Sequence, residues 1–153
     1  LDEPFSGLDP VNAQIFKDSI RRFVEEGKLV IFSSHQMGYV EEICDDITLI
    51  HNGHILLSGS LEALKRDMGA GKLQLRAEQL SDNELAAALA DAFPALRTQP
   101  HEDGLILDTQ GQVTQQQILN FVSNRGLSVY RFGLYTPTLN DIFIEKAGEH
   151  HAA

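Results

Sequence analysis

The sequence predicts a layered α/β unit followed by a smaller α+β unit. In the first part of the chain, segments with helical spacing of apolar residues alternate with short apolar runs of strand length, which is typical of α/β folds. The tripeptide "GAG" at residues 69–71 predicts the boundary between the two units. Beyond this boundary the predicted elements follow the order βαββαβ, in which two helices alternate with four strands.

The first unit opens with a predicted helix and a predicted buried strand. Apolar side chains from Val11 to Glu26 recur on one helical face, and Pro10 suits the first turn of such a helix. Gly27 is expected to end this helix. The segment Lys28 to Ser34 contains the apolar run "LVIF", which is short enough for a strand that is buried within a sheet.

A short helix, a hairpin and a second short helix complete the first unit. Met37 to Cys44 predicts the first of these helices. The segment "DITLIHNGHILLSG" predicts two strands that meet at Asn52-Gly53, because Asn-Gly is the strongest two-residue hairpin signal. Ser60 is placed to cap a helix that runs to Met68.

The second unit has the element order of ferredoxin-like domains. Its predicted strands cover residues 72–77, 96–100, 105–109 and 127–132, and its predicted helices cover residues 82–93 and 113–124. A last amphipathic helix is predicted at residues 138–147. We therefore expect two domains, at residues 1–70 and 71–148, with a flexible tail at residues 149–153.

Composition restricts the classes of function. The 153 residues carry a net charge of -10, with 12 acidic against 6 basic residues up to Ala70 and 10 against 6 after it. An acidic surface on both halves argues against binding to a nucleic-acid backbone, which needs a basic face. The single cysteine, Cys44, excludes an internal disulfide and suits a reducing cytosol. No apolar run approaches the roughly 20 residues that span a bilayer, and no signal peptide opens the chain.

Two acidic residues and a histidine are the candidate catalytic groups. Asp2 and Glu3 follow an apolar residue, and His35 follows the predicted strand that ends in Ser33-Ser34. Ligand chemistry gathers at the carboxyl ends of parallel strands, so these side chains are expected to converge on one crevice. One carboxylate can hold Mg²⁺ through its water shell, the next can polarise an attacking water, and the imidazole can reach a γ-phosphate.

These motifs resemble those of the ATP-binding cassette (ABC) ATPases. "LDEPFSGLDP" resembles the end of the Walker B motif and the D-loop of that family, and "IFSSH" resembles its switch-histidine loop. The three motifs occur in the family's order. "EEICDDITLIHNGHILLSGSLEAL" also resembles the segment that follows the histidine, so the resemblance covers residues 1 to about 68. It implies that the first unit is the C-terminal part of a P-loop ABC ATPase domain.

The resemblance implies a role for each site residue. Asp2 corresponds to the Walker B aspartate, which binds the metal Mg²⁺ through water, Glu3 to the catalytic glutamate and His35 to the switch histidine. The D-loop comprises Ser6, Gly7, Leu8 and Asp9. In the family this loop contacts the opposing subunit and, together with the Walker B aspartate, lies at the nucleotide. The implied ligands are ATP and Mg²⁺.

The second unit carries a further resemblance. Its roughly 75 residues end in "TPTLNDIFIEKAG", which is similar to the end of the accessory domain in ATPases that serve type-2 ABC exporters. The family's phosphate-binding loop, Q-loop and signature motif are expected upstream of Walker B, and the sequence contains none of them. "GAGK" at residues 69–72 does not replace the phosphate-binding loop, because Arg66 and Leu73 stand where that loop needs Gly and Ser or Thr. We therefore interpret the chain as a C-terminal fragment that is inactive on its own.

The sequence thus predicts the ATP-binding and hydrolysing subunit of an ABC exporter. The resemblance implies a second ATPase subunit and a transmembrane permease as partners, no nucleic acid, and a cytoplasmic location at the inner face of the membrane. Two alternatives stay open. One is a non-transport ABC ATPase, such as a translation or DNA-repair factor, and the other is a regulatory or dimerisation module with inert ATPase remnants.

Overall fold

The computed structural model describes the backbone of residues 1–151, which form two compact units. The first unit combines Leu1–Lys65 with the residues from Pro137 onward, and the second unit is Arg66–Thr136. Six helices and six strands occur in the described residues. The helices are α1 Pro10–Glu25, α2 Met37–Ile43, α3 Leu61–Gly69, α4 Asp82–Ala92, α5 Gln115–Asn124 and α6 Leu139–His151. The strands are β1 Asp46–His51, β2 His54–Ser60, β3 Lys72–Ala77, β4 Arg97–His101, β5 Gly104–Asp108 and β6 Val129–Leu134.

Phe5 is the centre of an aromatic cluster in the first unit. Its ring is 1% exposed and stacks on Tyr39 at 4.4 Å between centroids, with Phe16 and Phe32 edge-on at 5.2 and 5.8 Å. Ala13 and Ile20 of α1 are buried in the same cluster. The cluster therefore joins the N-terminal turn to α1, to the segment before His35 and to α2.

The prediction of a buried strand at Lys28–Ser34 is wrong, because this segment does not form a strand. In the described residues this segment makes one isolated parallel bridge, between Asp2 and Ser33. Leu29 and Ile31 are 86% and 72% exposed rather than buried. A strand of a parallel sheet is buried only when other elements cover both of its faces. The described residues bring one other segment, Leu1–Glu3, alongside it.

The predicted hairpin is present as the two-stranded antiparallel sheet of β1 and β2. Asn52 and Gly53 have φ angles of 49° and 78°, the left-handed conformations that a tight two-residue hairpin turn requires. The register shifts between Leu49 and Ile50, where the ladder contains an irregularity. Ile47 and Leu49 point to the buried side, as the strand alternation requires.

The second unit is a four-stranded antiparallel sheet with strand order β4-β5-β3-β6. The observed elements from β3 to β6 follow the predicted order βαββαβ. Capping boxes begin both helices, with Ser81 and Glu84 in α4 and with Thr114 and Gln117 in α5. The buried core comes from the two helices and the two central strands and includes Leu75, Leu85, Leu89, Leu105, Leu107, Ile118 and Val122.

Helix α6 packs with the first unit, although the sequence suggested that it closes the second. Leu139 and Ile142 are fully buried, the backbone N–H of Leu139 donates to Glu41 of α2 at 2.9 Å, and Phe143 lies edge-on to His51 at 5.6 Å. The helix runs to His151 and so overlaps the predicted tail at 149–153, of which residues 152 and 153 lie outside the described residues. The domain limits at residues 70 and 148 stay a prediction. Within the described chain, every helix is too short or too polar to cross a bilayer.

Candidate functional site

Glu3 lies in a strained turn directly beside the extended segment that ends at His35. Its φ angle is 43°, a left-handed conformation that is uncommon for a residue with a side chain. The backbone N–H of Glu3 donates to Ser33 O at 3.0 Å, and the N–H of Ser33 donates to Leu1 O at 2.9 Å. These parallel contacts hold the acidic pair and the histidine loop side by side, although the two segments are about 30 residues apart in sequence.

The carboxylate of Glu3 is bound by the histidine loop. Its Oε1 accepts from the backbone N–H of His35 at 2.9 Å and lies 2.8 Å from His35 Nδ1, while Oε2 accepts from the Ser34 hydroxyl at 3.2 Å. An ionised carboxylate only accepts hydrogen bonds, so Nδ1 carries the hydrogen in this contact. Nε2 is then the ring nitrogen that does not contact Glu3 and that is available to bind a ligand.

The histidine contact also sets the ionisation of Glu3. The hydrogen bond from the His35 side chain lowers the pKa of Glu3 from its usual 4.5, and partial desolvation opposes that effect. The backbone N–H of His35 and the hydroxyl of Ser34 lower the pKa further. Glu3 is therefore a carboxylate at neutral pH, the form that can accept a proton or a hydrogen bond from water.

Asp2 lies at the same bridge but faces a different partner. It pairs with Ser33 through the parallel bridge, and its carboxylate accepts a hydrogen bond from the Ser33 hydroxyl. Carboxylate and hydroxyl oxygens are hard ligands that suit Mg²⁺, which keeps several waters and binds proteins through one or two carboxylates. The oxygen atoms at this position therefore fit such an ion.

The predicted D-loop residues form an exposed turn between the acidic pair and α1. The N–H of Ser6 donates to Glu3 O at 3.1 Å, the N–H of Leu8 donates to Phe5 O at 3.3 Å, and Gly7 has a φ angle of 73°. Asp9 caps α1, since its carboxylate accepts from the N–H groups of Val11 and Asn12 at 2.9 and 3.0 Å. The backbone N–H and the side-chain amide of Asn12 lower the pKa of Asp9.

Side-chain contacts connect α1, α2 and the turn that follows Glu3. Phe5 anchors the turn that follows Glu3, and Tyr39 of α2 stacks on it. Lys17 of α1 is buried and forms an ion pair at 2.8 Å with Glu42 of α2. These contacts fix α1, which begins after the exposed turn, against α2, which begins two residues after His35.

Two site residues had no predicted role. Ser33 and Ser34 stand in "IFSSH", which marked the histidine loop, and their hydroxyls contact Asp2 and Glu3 respectively. Serine is common in loops, so the sequence alone did not separate these two hydroxyls from solvent-exposed ones.

Among the residues that the structure describes, no group of three or more His, Cys, Asp and Glu side chains is arranged to hold a metal ion.

The chain is similar to ATP-binding proteins of ABC transporters. A family described as "ATP-binding protein DrrA1-3-like, C-terminal domain" matches residues 59–147. The "Uncharacterized ABC transporter ATP-binding protein YhaQ" of Bacillus subtilis is 34% identical over 148 residues, which are 97% of this chain and 48% of the relative. An uncharacterized ABC transporter ATP-binding protein of Alkalihalophilus pseudofirmus is 33% identical over 99% of this chain and 55% of its own length. The "Bacitracin transport ATP-binding protein BcrA" of Bacillus licheniformis is 32% identical over 97% of this chain and 48% of its own length.

The similarity extends over both units of the chain. The family match covers more than half of the residues, and the three relatives align with nearly all of them. The chain spans about half the length of these curated relatives. The chain therefore belongs to the ATP-binding proteins of ABC transporters, and its residues 59–147 belong to the DrrA1-3-like C-terminal domain family.

Proposed function

We propose that this chain is the C-terminal part of an ATP-hydrolysing subunit that drives an ABC exporter. The observation that carries the proposal is the contact between Glu3 and His35, which pairs an ionised carboxylate with an imidazole that keeps one ring nitrogen available. Family membership supports ATP as the substrate. The coverage of about half of each relative supports a longer complete subunit, in which the missing phosphate-binding loop, Q-loop and signature motif would lie.

Glu3 and His35 divide the catalytic work in this proposal. Glu3 acts as the base that orients and polarises the attacking water, because its lowered pKa keeps it ionised at neutral pH. His35 would donate a hydrogen bond from a protonated Nε2 to the γ-phosphate, where charge shifts as the bond to the β-phosphate breaks. The products are ADP and inorganic phosphate.

Asp2 and the exposed turn supply the remaining parts of the site. Asp2 would hold Mg²⁺ through water, and the ion would neutralise charge on the β- and γ-phosphates. Ser6, Gly7, Leu8 and Asp9 would form the contact with the opposing ATPase subunit. Since the Asp9 carboxylate already caps α1, the groups of this turn that face a partner are chiefly its exposed backbone and the Leu8 side chain.

The proposed context is a transporter with two ATPase subunits and a transmembrane permease, at the cytoplasmic face of the membrane. The names of the relatives support transport over a role in translation or DNA repair, and one relative is named for bacitracin transport. The residue composition supports the same choice, because neither unit carries the basic excess of a nucleic-acid binder. The second unit is proposed to be a ferredoxin-like accessory domain, which its βαββαβ order and antiparallel sheet support.

The first prediction tests Glu3 in the complete subunit. Glu3→Gln removes the base but keeps the shape of the side chain and one oxygen that can accept from His35, so ATP binding is expected to persist while hydrolysis falls by at least about 10²-fold. Phosphate release and binding of a fluorescent ATP analogue measure the two effects. Glu25→Gln, an exposed change at the end of α1, serves as the control and is expected to leave both unchanged. Normal turnover of the Glu3→Gln subunit would show that the site is misassigned.

A further inference from the structure

Helix α1 carries a lysine in its buried apolar face. Ala13, Lys17 and Ile20 follow the i, i+4, i+7 spacing of one helical face, and they are the buried residues of α1. Lys17 is 9% exposed, and no other charged residue is buried among those whose side chains the structure describes. A buried charge is costly unless it is paired, and replacement of a buried ion pair by apolar residues is often neutral for stability. Stability alone therefore does not account for a lysine in this face.

The Lys17 ammonium binds one face of α2. Its Nζ donates to both carboxylate oxygens of Glu42, at 2.9 and 2.8 Å, and lies 5.7 Å from the centre of the Tyr39 ring. Tyr39 and Glu42 are three residues apart, so they lie on the same face of this helix. α2 has seven residues, and none of them is buried. The position of such a short helix depends on side-chain contacts of this kind.

The same contacts lead to both residues proposed for catalysis. α2 begins two residues after His35, so a displacement of α2 moves the loop whose N–H and Nδ1 contact the Glu3 carboxylate. Tyr39 stacks on Phe5 at 4.4 Å between ring centres, and Phe5 follows Glu3 by two residues. Lys17 is therefore connected to His35 through α2, and to Glu3 through Tyr39 and Phe5.

We propose that Lys17 is a positioning residue for ATP hydrolysis, which holds α2 where His35 stays in contact with Glu3. The inference rests on the proposed function, in which this pair acts on ATP. The charge of Lys17 is required because an ammonium binds a carboxylate and the face of an aromatic ring at the same time. Since α1 begins at the exposed turn that Asp9 ends, the same lysine also connects that turn to the histidine loop.

Replacement of the lysine by methionine in the complete subunit tests the proposal. Lys17→Met keeps an unbranched apolar side chain and removes the charge. Glu42 is 44% exposed and keeps Arg21 at 3.7 Å, so its carboxylate is not left buried without a partner and the variant is expected to fold. Circular dichroism and the urea unfolding midpoint verify this.

The variant is expected to show two effects at the site. The kcat for ATP falls about 10-fold while KM changes less than about 3-fold, because misplacement of a catalytic group affects the reaction more than it affects binding. The pKa of Glu3 rises toward its usual 4.5, because the contact with His35 is the main cause of its lowered value. Carboxyl ¹³C shifts without nucleotide measure this titration. A lysine that only stabilised the fold would leave the titration unchanged.

Lys28→Met is the matched control. The Lys28 ammonium also contacts a carboxylate and an aromatic ring, those of Glu26 at 2.6 Å and Phe23 at 4.7 Å. Its side chain is 57% exposed, however, and neither partner lies on α2. This variant is expected to keep the kcat and the Glu3 titration of the parent subunit.

Glu42→Gln tests the same link from its exposed side and keeps the inference testable if Lys17→Met does not fold. It is expected to lower kcat and to raise the pKa of Glu3, as Lys17→Met does. The double variant is expected to be no slower than Lys17→Met alone, because both changes break one contact.

The inference is overturned if neither variant shifts the Glu3 titration, if their effects on kcat multiply, or if Lys28→Met lowers kcat equally. Absence of ATP turnover in the parent subunit contradicts the proposed function instead. The Glu3 titration needs no turnover, so it tests the positioning by Lys17 separately.

Discussion

Glu3 combines an unusual backbone conformation with a fixed side chain. Its left-handed φ of 43° is strained, and the structure retains it because Phe5 anchors the next turn while His35 and Ser34 bind the carboxylate. Strain of this kind occurs preferentially at functional sites. The consequence is a carboxylate that is oriented before any substrate arrives, which reduces the reorganisation needed during reaction.

The second prediction concerns His35. His35→Ala removes the largest contribution to the lowered pKa of Glu3, so that pKa is expected to rise toward its usual 4.5. In the complete subunit, ATP turnover is expected to fall on the order of 10²-fold, because an electrostatic contact at the γ-phosphate is lost. Carboxyl ¹³C chemical shifts of Glu3 across a pH titration and steady-state phosphate release measure the two effects. His54→Ala, a change at an exposed histidine of the β1–β2 hairpin, is the control.

The same contact makes a pH-dependent contribution to folding. A carboxyl group whose pKa is lower in the folded state stabilises that state above the unfolded pKa, here near 4.5, and loses the contribution as the pH falls through the lower folded value. His35→Ala is therefore expected to reduce the difference in stability between pH 7 and acidic pH. An unchanged Glu3 titration in this variant would contradict the assigned contact.

The third prediction concerns Gly104, which begins β5. Its φ angle is 114°, and an added Cβ would lie 2.5 Å from Leu75 O and 2.9 Å from Arg76 Cβ. Gly104→Ala is expected to destabilise the second unit by about 2 kcal/mol or more, because the backbone is strained and a neighbouring strand is pushed away. Gly111→Ala is the matched control, since Gly111 also has a positive φ but open space around its Cβ position. Urea unfolding measures both, and equal losses would rule out the steric argument.

At the scale of elements, local signals determined which predictions were correct. The β1–β2 hairpin follows from Asn52-Gly53, and both helices of the second unit begin at capping boxes that the sequence spells out. Strand β3 has the predicted limits, and the other predicted limits differ by a few residues. Such elements are predictable because the residues that cause them are neighbours in sequence.

The wrong element depended on distant parts of the molecule. "LVIF" has the apolar character of a buried strand, yet Leu29 and Ile31 are exposed, because burial depends on what packs against a segment and not on the segment itself. In the candidate site, too, some features follow from the local sequence and others depend on contacts between distant segments. Its residue types and order indicated a nucleotide site, while the strained φ of Glu3 and the serine hydroxyl contacts appear only when two distant segments meet.

The fourth prediction tests a helix cap in the second unit. The Thr114 hydroxyl accepts from the N–H of Gln117 at 3.2 Å, and Gln117 Oε1 accepts in return from the N–H of Thr114 at 2.8 Å. Thr114→Ala breaks this capping box and is expected to cost about 1 kcal/mol of stability. Ser123→Ala, an exposed change near the other end of α5, is expected to change stability by less than about 0.5 kcal/mol. Urea unfolding compares the two variants, and equal effects would contradict the assigned cap.

At the scale of the molecule, the second unit is inserted in sequence between two parts of the first. The first unit contains α6, whose Leu139 and Ile142 are fully buried and whose first N–H is bound by Glu41. An amphipathic pattern shows that a helix has an apolar face, but it does not show which unit covers that face. This is why the sequence suggested α6 as the end of the second unit. The compact second unit, Arg66–Thr136, is therefore shorter than the family match at residues 59–147, which includes most of α6.

The fifth prediction compares one isoleucine from each unit. Ile142 of α6 and Ile118 of α5 are both 0% exposed, so each Ile→Ala change is expected to cost about 2–5 kcal/mol through lost burial and a cavity. Because the units have separate cores, Ile142→Ala is expected to speed hydrogen exchange in α2 and α6 and to leave β3 and β5 protected. Ile118→Ala is expected to speed hydrogen exchange in β3 and β5 and to leave α2 and α6 protected. Hydrogen exchange followed by mass spectrometry measures both variants in the same chain. Equal loss of protection across the whole chain in either variant would show that α6 and the second unit unfold together, and the assignment of α6 to the first unit would then be wrong.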